Sequence, residues 1–191
     1  MDQHSFGPAE LRHMASAMPC AVALLIAATV PGGYGTTVGT FTVASLDPPL
    51  ATVYLQEGGR TLKLVPPRAP FGISILAADQ AEIARRYATR NRPDGLKGLA
   101  LLAGAQPGVL TLARAVAGFE CCAIDHIKIG DHYLLRATVT GAWRRNAVPL
   151  IHHNGELVPA RSPMIFAPGL REPHPATTSG HPQVNSDQVP A

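Results

Sequence analysis

Charge is scarce in this sequence. Asp, Glu, Lys and Arg make up 15% of the 191 residues, against 46% hydrophobic residues. That ratio excludes a chain too polar to bury a core and argues for a globular one. So sparsely charged a surface also suits a large face hidden in an oligomer. Cysteine is equally thin, with Cys20, Cys121 and Cys122 alone. An odd count that includes two neighbours excludes a disulfide framework, and no pair has zinc-ligand spacing. A reducing cytoplasm is the expected compartment. Long apolar runs are missing too. AVALLIAATV at 21–30 falls short of the roughly 20 residues a bilayer requires. The segment before it carries Asp2 and Glu10, unlike the basic lead of a signal peptide. A buried strand is expected there, and no membrane partner. There is no Gly-x-Ser-x-Gly elbow, which leaves hydrolase chemistry without support. No internal repeat is found.

The net charge of +3 is only mildly basic. The one basic cluster is Arg85, Arg86, Arg90, Arg92 and Lys97, at the end of a helix-like segment where cations complement the helix dipole. A solvated face ranks first there and contact with an anionic small molecule second. Nucleic acid is not expected, since it calls for a denser stripe.

What is present reads as strands with a little helix. PAELRHMASAM at 8–18 spaces Leu11, Met14, Ala15 and Met18 as one helical face, with Pro8 in the first turn. Strands are expected at 21–29, 35–45, 50–56, 70–77, 111–125, 130–143 and 149–158, with hairpin turns at GD 130–131 and HNGE 153–156. A glycine-rich turn at 58–59 leads into a short helix to 65. DQAEIARRYA at 79–88 has Asp79 and Glu82 in capping-box spacing, so a helix is expected. Residues 89–109 read as a loop with a helical turn. From about 160 the chain turns to Pro, Ser, Thr and Gly. Residues 1–160 are therefore expected to form the domain and 161–191 a disordered or draped tail. The whole is expected to be mostly β, an antiparallel barrel with helical decoration.

GTFTVASLDPPL at 39–50 is unusually rich in hydroxyls for a core strand. Thr37, Thr40, Thr42 and Ser45 lie along the expected strand 35–45, Gly58, Gly59, Arg60 and Thr61 follow the next strand, and Ser74 lies on the one after. Brought to one sheet edge, the glycine amides, a guanidinium fork and a hydroxyl at a helix start would make an anion cradle. A ribityl-like chain would run along the hydroxyls. An ordinary turn and helix start explains Gly-Gly-Arg-Thr equally well.

The order of these pieces resembles the flavin reductase family of FMN-binding split barrels, from about residue 9 to about residue 158. The likeness is carried by LRHMASAMPCAVALL, GTTVGTFTVASLDPPLATVYL, GGRTLKLV, FGISILAADQAEIARRYA, GFECCAIDHIKIGDHYLLRATV and PLIHHNGEL. The resemblance implies a split β-barrel with short flanking helices, a homodimer, and FMN or FAD near the subunit interface. It implies that Thr37, Val38, Gly39 and Thr40 line the flavin, that Ser45 and Leu46 lie near its ring, and that Gly59, Arg60 and Thr61 take the phosphate. Ser74 stands where the family often has asparagine. His132, in Gly-Asp-His, falls on the nicotinamide side as the candidate catalytic residue.

The chain departs from the family pattern at four positions. Gly39 and Gly59 replace small polar residues, Arg136 replaces a glycine, and Cys20 replaces a common threonine. Arg136 would narrow the nicotinamide slot or pair with a dinucleotide phosphate. His126, His152 and His153 do not suggest a metal, because neighbours on a strand point to opposite faces. Trp143 suits the core or an interface better than a stacking platform.

The expected function is an NADH- or NADPH-dependent flavin reductase that supplies reduced flavin to a partner monooxygenase. The alternative is a split-barrel protein that binds flavin or another flat ligand without turnover.

Overall fold

The apolar stretch near the N-terminus becomes a strand buried on both sides. In the computed structural model, which describes residues 7–28, 32–89 and 91–160, all five residues of β2 (Ala23–Ala27) are buried. Side chains alternate across a strand. Ala23, Leu25 and Ala27 thus enter one core with Val53, Phe71, Ile73, Cys121 and Leu135. Leu24 and Ile26 enter a second core with Leu76, Tyr87, Leu112 and Leu150. A strand covered on both faces has no position for a polar residue, which explains the unbroken run.

Around β2 the chain builds a seven-stranded antiparallel sheet. Its other members are β3 (Tyr34–Val38), β4 (Thr42–Leu46), β5 (Pro49–Gln56), β6 (Pro70–Ile75), β9 (Ala117–Ile129) and β10 (His132–Arg144). The strand order is β3-β2-β6-β9-β10-β5-β4. The two edge strands, β3 and β4, are neighbours in sequence, joined by residues 39–41. Laid flat, seven strands would span about 29 Å, but the link from Val38 to Thr42 reaches at most about 14 Å. The sheet must curl until its edges approach. Ahead of β4, Thr40 Oγ1 accepts the Tyr54 N–H of β5 at 3.0 Å, which carries the β4–β5 register two residues back into the link.

This corrects the expected single strand at 35–45. The chain leaves the ladder after Val38, which faces Ala23, and re-enters a different edge at Thr42, opposite Thr52. Alternation of small residues looks the same in one strand or two, so periodicity could not mark the break. The prolines close the next corner: Leu46 pairs with Pro49, and Asp47 and Pro48 form the turn.

Helices flank the curl. α1 (Pro8–Ser16) carries Glu10, whose carboxylate accepts the Gly7 N–H at 2.9 Å. α2 (Arg60–Leu64) follows β5. α3 (Ala81–Ala88) buries Ala84 and Tyr87, and the Tyr87 hydroxyl donates to the Gly95 carbonyl at 3.0 Å. Gly35 faces that ring: an added Cβ would lie 2.9 Å from Tyr87 Cδ1. The expected Asp79–Glu82 capping box does not form. A 3-10 turn (Ala78–Gln80) precedes α3, Gln80 Oε1 accepts the Ala77 N–H at 2.9 Å, and Asp79 accepts from Arg114 at 3.0 Å. The shifted helix start puts a different side chain in range of the exposed N–H.

Residues 89–109 also differ from expectation. They contain β7 (Leu101–Ala103), paired with β8 (Leu110–Leu112). An apolar tripeptide is too short to nucleate a helix, while β8 offers it backbone partners. The expected strand 111–125 is thereby two, β8 and β9. The expected strand 149–158 is the hairpin β11 (Leu150–His153) and β12 (Glu156–Pro159). Its turn has Asn154 and Gly155 at positive φ, 51° and 82°, which the NG pair suits. β1 (Cys20–Ala21) pairs with β11 to complete a three-stranded sheet. The expected tail at 161–191, and Arg90, lie outside the described residues.

Gly72 of β6 tests the fit between sheet and β8. A Cβ there would fall on the Leu110 carbonyl oxygen, which cannot move without breaking β8. Gly72→Ala should cost about 3 kcal/mol in urea unfolding. An unchanged midpoint would disprove the close approach.

Candidate functional site

A cleft of about 300 Å³ opens where the sheet edges approach. β3 and the chain leaving it contribute Thr37, Val38, Gly39 and Thr40. The start of α2 contributes Gly59, Arg60 and Thr61, and the start of β10 contributes His132. Eight of the sequence-derived candidates thus meet at one place, drawn from three separate stretches of chain. Gly39 and Thr40 lie beyond the last paired residue of β3, so their N–H groups stand outside that ladder.

Several hydroxyls in the cleft already serve the fold. Thr37 Oγ1 donates to the Ala84 carbonyl of α3 at 2.8 Å. Thr40 Oγ1 holds the Tyr54 backbone of β5. The Gly59 N–H donates to the Gln56 carbonyl at 3.0 Å, so that amide is not free for an anion as the sequence suggested. The glycines at 39 and 59 have packing reasons. A Cβ at Gly39 would sit 2.9 Å from Cys20 Sγ, and one at Gly59 would sit 2.9 Å from the Gln56 carbonyl oxygen. Loss of two polar side chains from the cleft therefore follows from its walls.

Arg60 forms an ion pair with Asp94, and its Cζ lies 4.7 Å from the centroid of the Tyr34 ring. His132 is held by its neighbour: Nδ1–H donates to Asp131 Oδ1 at 2.8 Å. That bond holds the Asp131 carboxyl below its ordinary value, because it favours the charged form.

Four candidates are not brought to the cleft. Ser74 is fully buried, and its hydroxyl oxygen accepts the Leu112 N–H at 2.8 Å, which ties β8 to the sheet. Ser45 and Leu46 lie on the edge strand β4, where Leu46 is 87% exposed. Arg136 is drawn to Asp125 by a two-pronged bond, Nε to Oδ1 at 2.7 Å and Nη2 to Oδ2. These hydrogen bonds, then the guanidinium charge, hold the Asp125 carboxyl below its ordinary value.

The sequence missed other cleft residues: Tyr34, Thr36, Tyr54, Gln56 and Arg92. Arg92 stood in the basic cluster, so its charge was visible, but its position was not. Nothing in the sequence marked Tyr34 or Gln56, whose roles come from a fold that crosses distant segments. The two arginines over the Tyr34 ring, the Gly39 and Thr40 amides outside the β3 ladder and the Tyr54 ring fit a phosphorylated heteroaromatic ligand.

A protein-family model, the flavin reductase like domain, matches residues 14–161. The chain belongs to that family. It is 30% identical over 162 residues to the NADH-dependent FMN reductase AsuE2 of Streptomyces nodosus subsp. asukaensis, covering 82% of this chain and 87% of that one. It is 31% identical over 152 residues to the NADPH-flavin oxidoreductase of Streptomyces viridifaciens, covering 78% of each. Among solved structures it resembles the styrene monooxygenase flavin reductase of Pseudomonas putida S12. That match has a TM-score of 0.72 and 30% identity, over 81% of this chain and 99% of that one.

Two outcomes are expected from residues outside the cleft. Ser74→Ala should cost about 1–3 kcal/mol of stability, by leaving a buried N–H without its acceptor, and leave ligand affinity unchanged; weakened binding with normal stability would return Ser74 to the site. Asp125, depressed in the folded state, contributes stability that is present above the ordinary aspartate range and lost as pH falls through its lowered value. A carboxyl NMR titration should therefore find Asp125 below the usual value of about 3.9, moving up toward it in Arg136→Gly. Equal midpoints in both proteins would contradict the pairing.

Proposed function

We propose that this chain is an NAD(P)H:flavin oxidoreductase that binds FMN, with FAD as an alternative flavin, in the cleft at the sheet seam. The single observation that carries this is the meeting of Thr37, Val38, Gly39, Thr40, Gly59, Arg60, Thr61 and His132 around one cavity. FMN, when bound, supplies a ring that accepts hydride from reduced nicotinamide. The chain's own part is binding and placement. The arginines attract the phosphate end. The amides of Gly39 and Thr40, outside the ladder, are available to stabilise negative charge on the ring. His132, oriented by Asp131, borders the nicotinamide side. The strands and α2 that line the cleft would hold the flavin ring and the nicotinamide within reach of each other.

The alternative, binding without turnover, drew on the residues at 39, 59 and 136. Arg136 is engaged by Asp125 outside the cleft, and both glycines follow from packing. The reductase reading is therefore preferred. A split-barrel homodimer is part of it. Tyr54, Leu134 and Ile127 lie opposite one another across β5, β10 and β9, Tyr54 and Ile127 are exposed, and His132 lies two residues before Leu134 on β10, opposite Gln56 and Ile129. An apolar row beside the cleft suits a second subunit. A cytoplasmic setting agrees with three free cysteines. Burial pushes the Cys121 thiol up to about 12, so it stays protonated and unreactive. No helix among the described residues is long and apolar enough to cross a membrane. Reduced flavin would leave for a partner monooxygenase. The domain is taken as residues 1–160, with 161–191 as a tail; the family match, ending at 161, supports this division.

Purified protein should bind FMN and oxidise NADH or NADPH at 340 nm in its presence. Uptake of FMN without nicotinamide oxidation would favour the non-reductase alternative, and no uptake would remove the flavin reading. His132→Ala should raise KM for the nicotinamide several-fold while FMN affinity holds; the reverse pattern would place His132 on the flavin.

A further inference from the structure

The two guanidinium groups in the cleft are not equivalent. Arg60 is already neutralised by Asp94, in a pair whose side chains are 54% and 82% exposed. Such a pair is weak but present before any ligand arrives. Arg92 is half-buried, and among the described residues no carboxylate lies within ion-pair distance of it. Its partners are neutral. Nε donates to the Thr89 carbonyl at 2.9 Å, Nη1 donates to Thr36 Oγ1, and Cζ lies 5.8 Å from the Tyr34 ring centroid. Thr36 is itself only 7% exposed.

A half-buried charge without a counter-charge is unfavourable, and an arriving anion relieves it. A guanidinium has five N–H donors. The two bonds to Thr89 and Thr36 fix its plane and leave the others for a ligand. Its loop is anchored as well: the Leu96 N–H donates to the Gly32 carbonyl at 3.0 Å, and the Tyr87 hydroxyl donates to Gly95. The cation is therefore positioned in advance, which lowers the entropy cost of binding.

We propose that Arg92 is the principal phosphate-binding residue of the cleft, and that Arg60 joins only when its pair with Asp94 opens. This rests on the flavin reading given above and names the group that selects phosphorylated flavin over riboflavin. Arg92 acts as a fixed bidentate donor and Arg60 as a switchable one.

Dissociation constants for FMN and riboflavin, from quenching of flavin fluorescence, test this in four proteins: the wild type, Arg92→Met, Arg92→Lys and Arg60→Met. Arg92→Met keeps the apolar stem and removes the charge. It should weaken FMN about 10- to 100-fold, the range for a charged hydrogen bond, and change riboflavin less than about 3-fold. Arg92→Lys, charged but without the fork, should fall between. Arg60→Met should cost less than Arg92→Met. Equal losses for both flavins would show that Arg92 only shapes the wall; no loss for FMN, or a larger loss from Arg60→Met, would also overturn the proposal. Inorganic pyrophosphate gives a readout without flavin. It should raise the melting temperature of the wild type and not of Arg92→Met. If the wild type takes up no FMN but keeps this Arg92-dependent shift, the flavin reading falls and the anion site stands. Absence of the shift as well would end both.

Discussion

Three residues, 39–41, join the two outermost strands of a seven-stranded sheet. So short a link between opposite edges leaves the sheet no flat arrangement. The curl follows, and with it an inner core, an outer core under α3, and a seam where the ladder is interrupted. The seam is where backbone amides fall outside the ladder and where side chains from remote segments meet. The cleft is thus a consequence of the curl.

Fold and ligand draw on the same polar groups at that seam. Thr37 ties β3 to α3, Thr40 ties the link to β5, and the Gly59 amide closes the turn before α2. Each of these bonds holds the cleft open in one shape. What is left for an incoming molecule is mostly cationic and planar: two guanidiniums against one tyrosine ring, with the His132 imidazole also in the lining. A cleft so divided recognises a phosphate by charge and a flat ring system by contact. That division agrees with membership of the flavin reductase like family.

Parts of this were legible from the residues. The unbroken apolar run of β2 declared a buried strand, and the structure shows why it is unbroken: each face of the sheet carries a core. DQAEIARRYA at 79–88 declared α3, and the NG pair declared its hairpin. Eight cleft residues were named beforehand from the resemblance of their motifs. Other parts were not legible. The hydroxyl alternation at 35–45 is the same whether the strand continues or breaks. Ser74 has the residue type of a ligand contact, yet its hydroxyl holds the Leu112 amide. Asp79 had capping spacing, but Arg114 lay closer to hand once the chain had folded.

The sequence by itself determined the β-rich class, the burial of its apolar run as a strand, the turn residues, and the presence of arginines able to meet a phosphate. These are local properties: propensity, periodicity and charge act over a few residues. Tertiary structure alone decided which arginine is neutralised and which is left with neutral partners, that Arg136 belongs to Asp125, and that Gly39 makes room for Cys20. Each of these depends on distances between segments remote along the chain, and such distances are set only when the sheet curls and its edges meet.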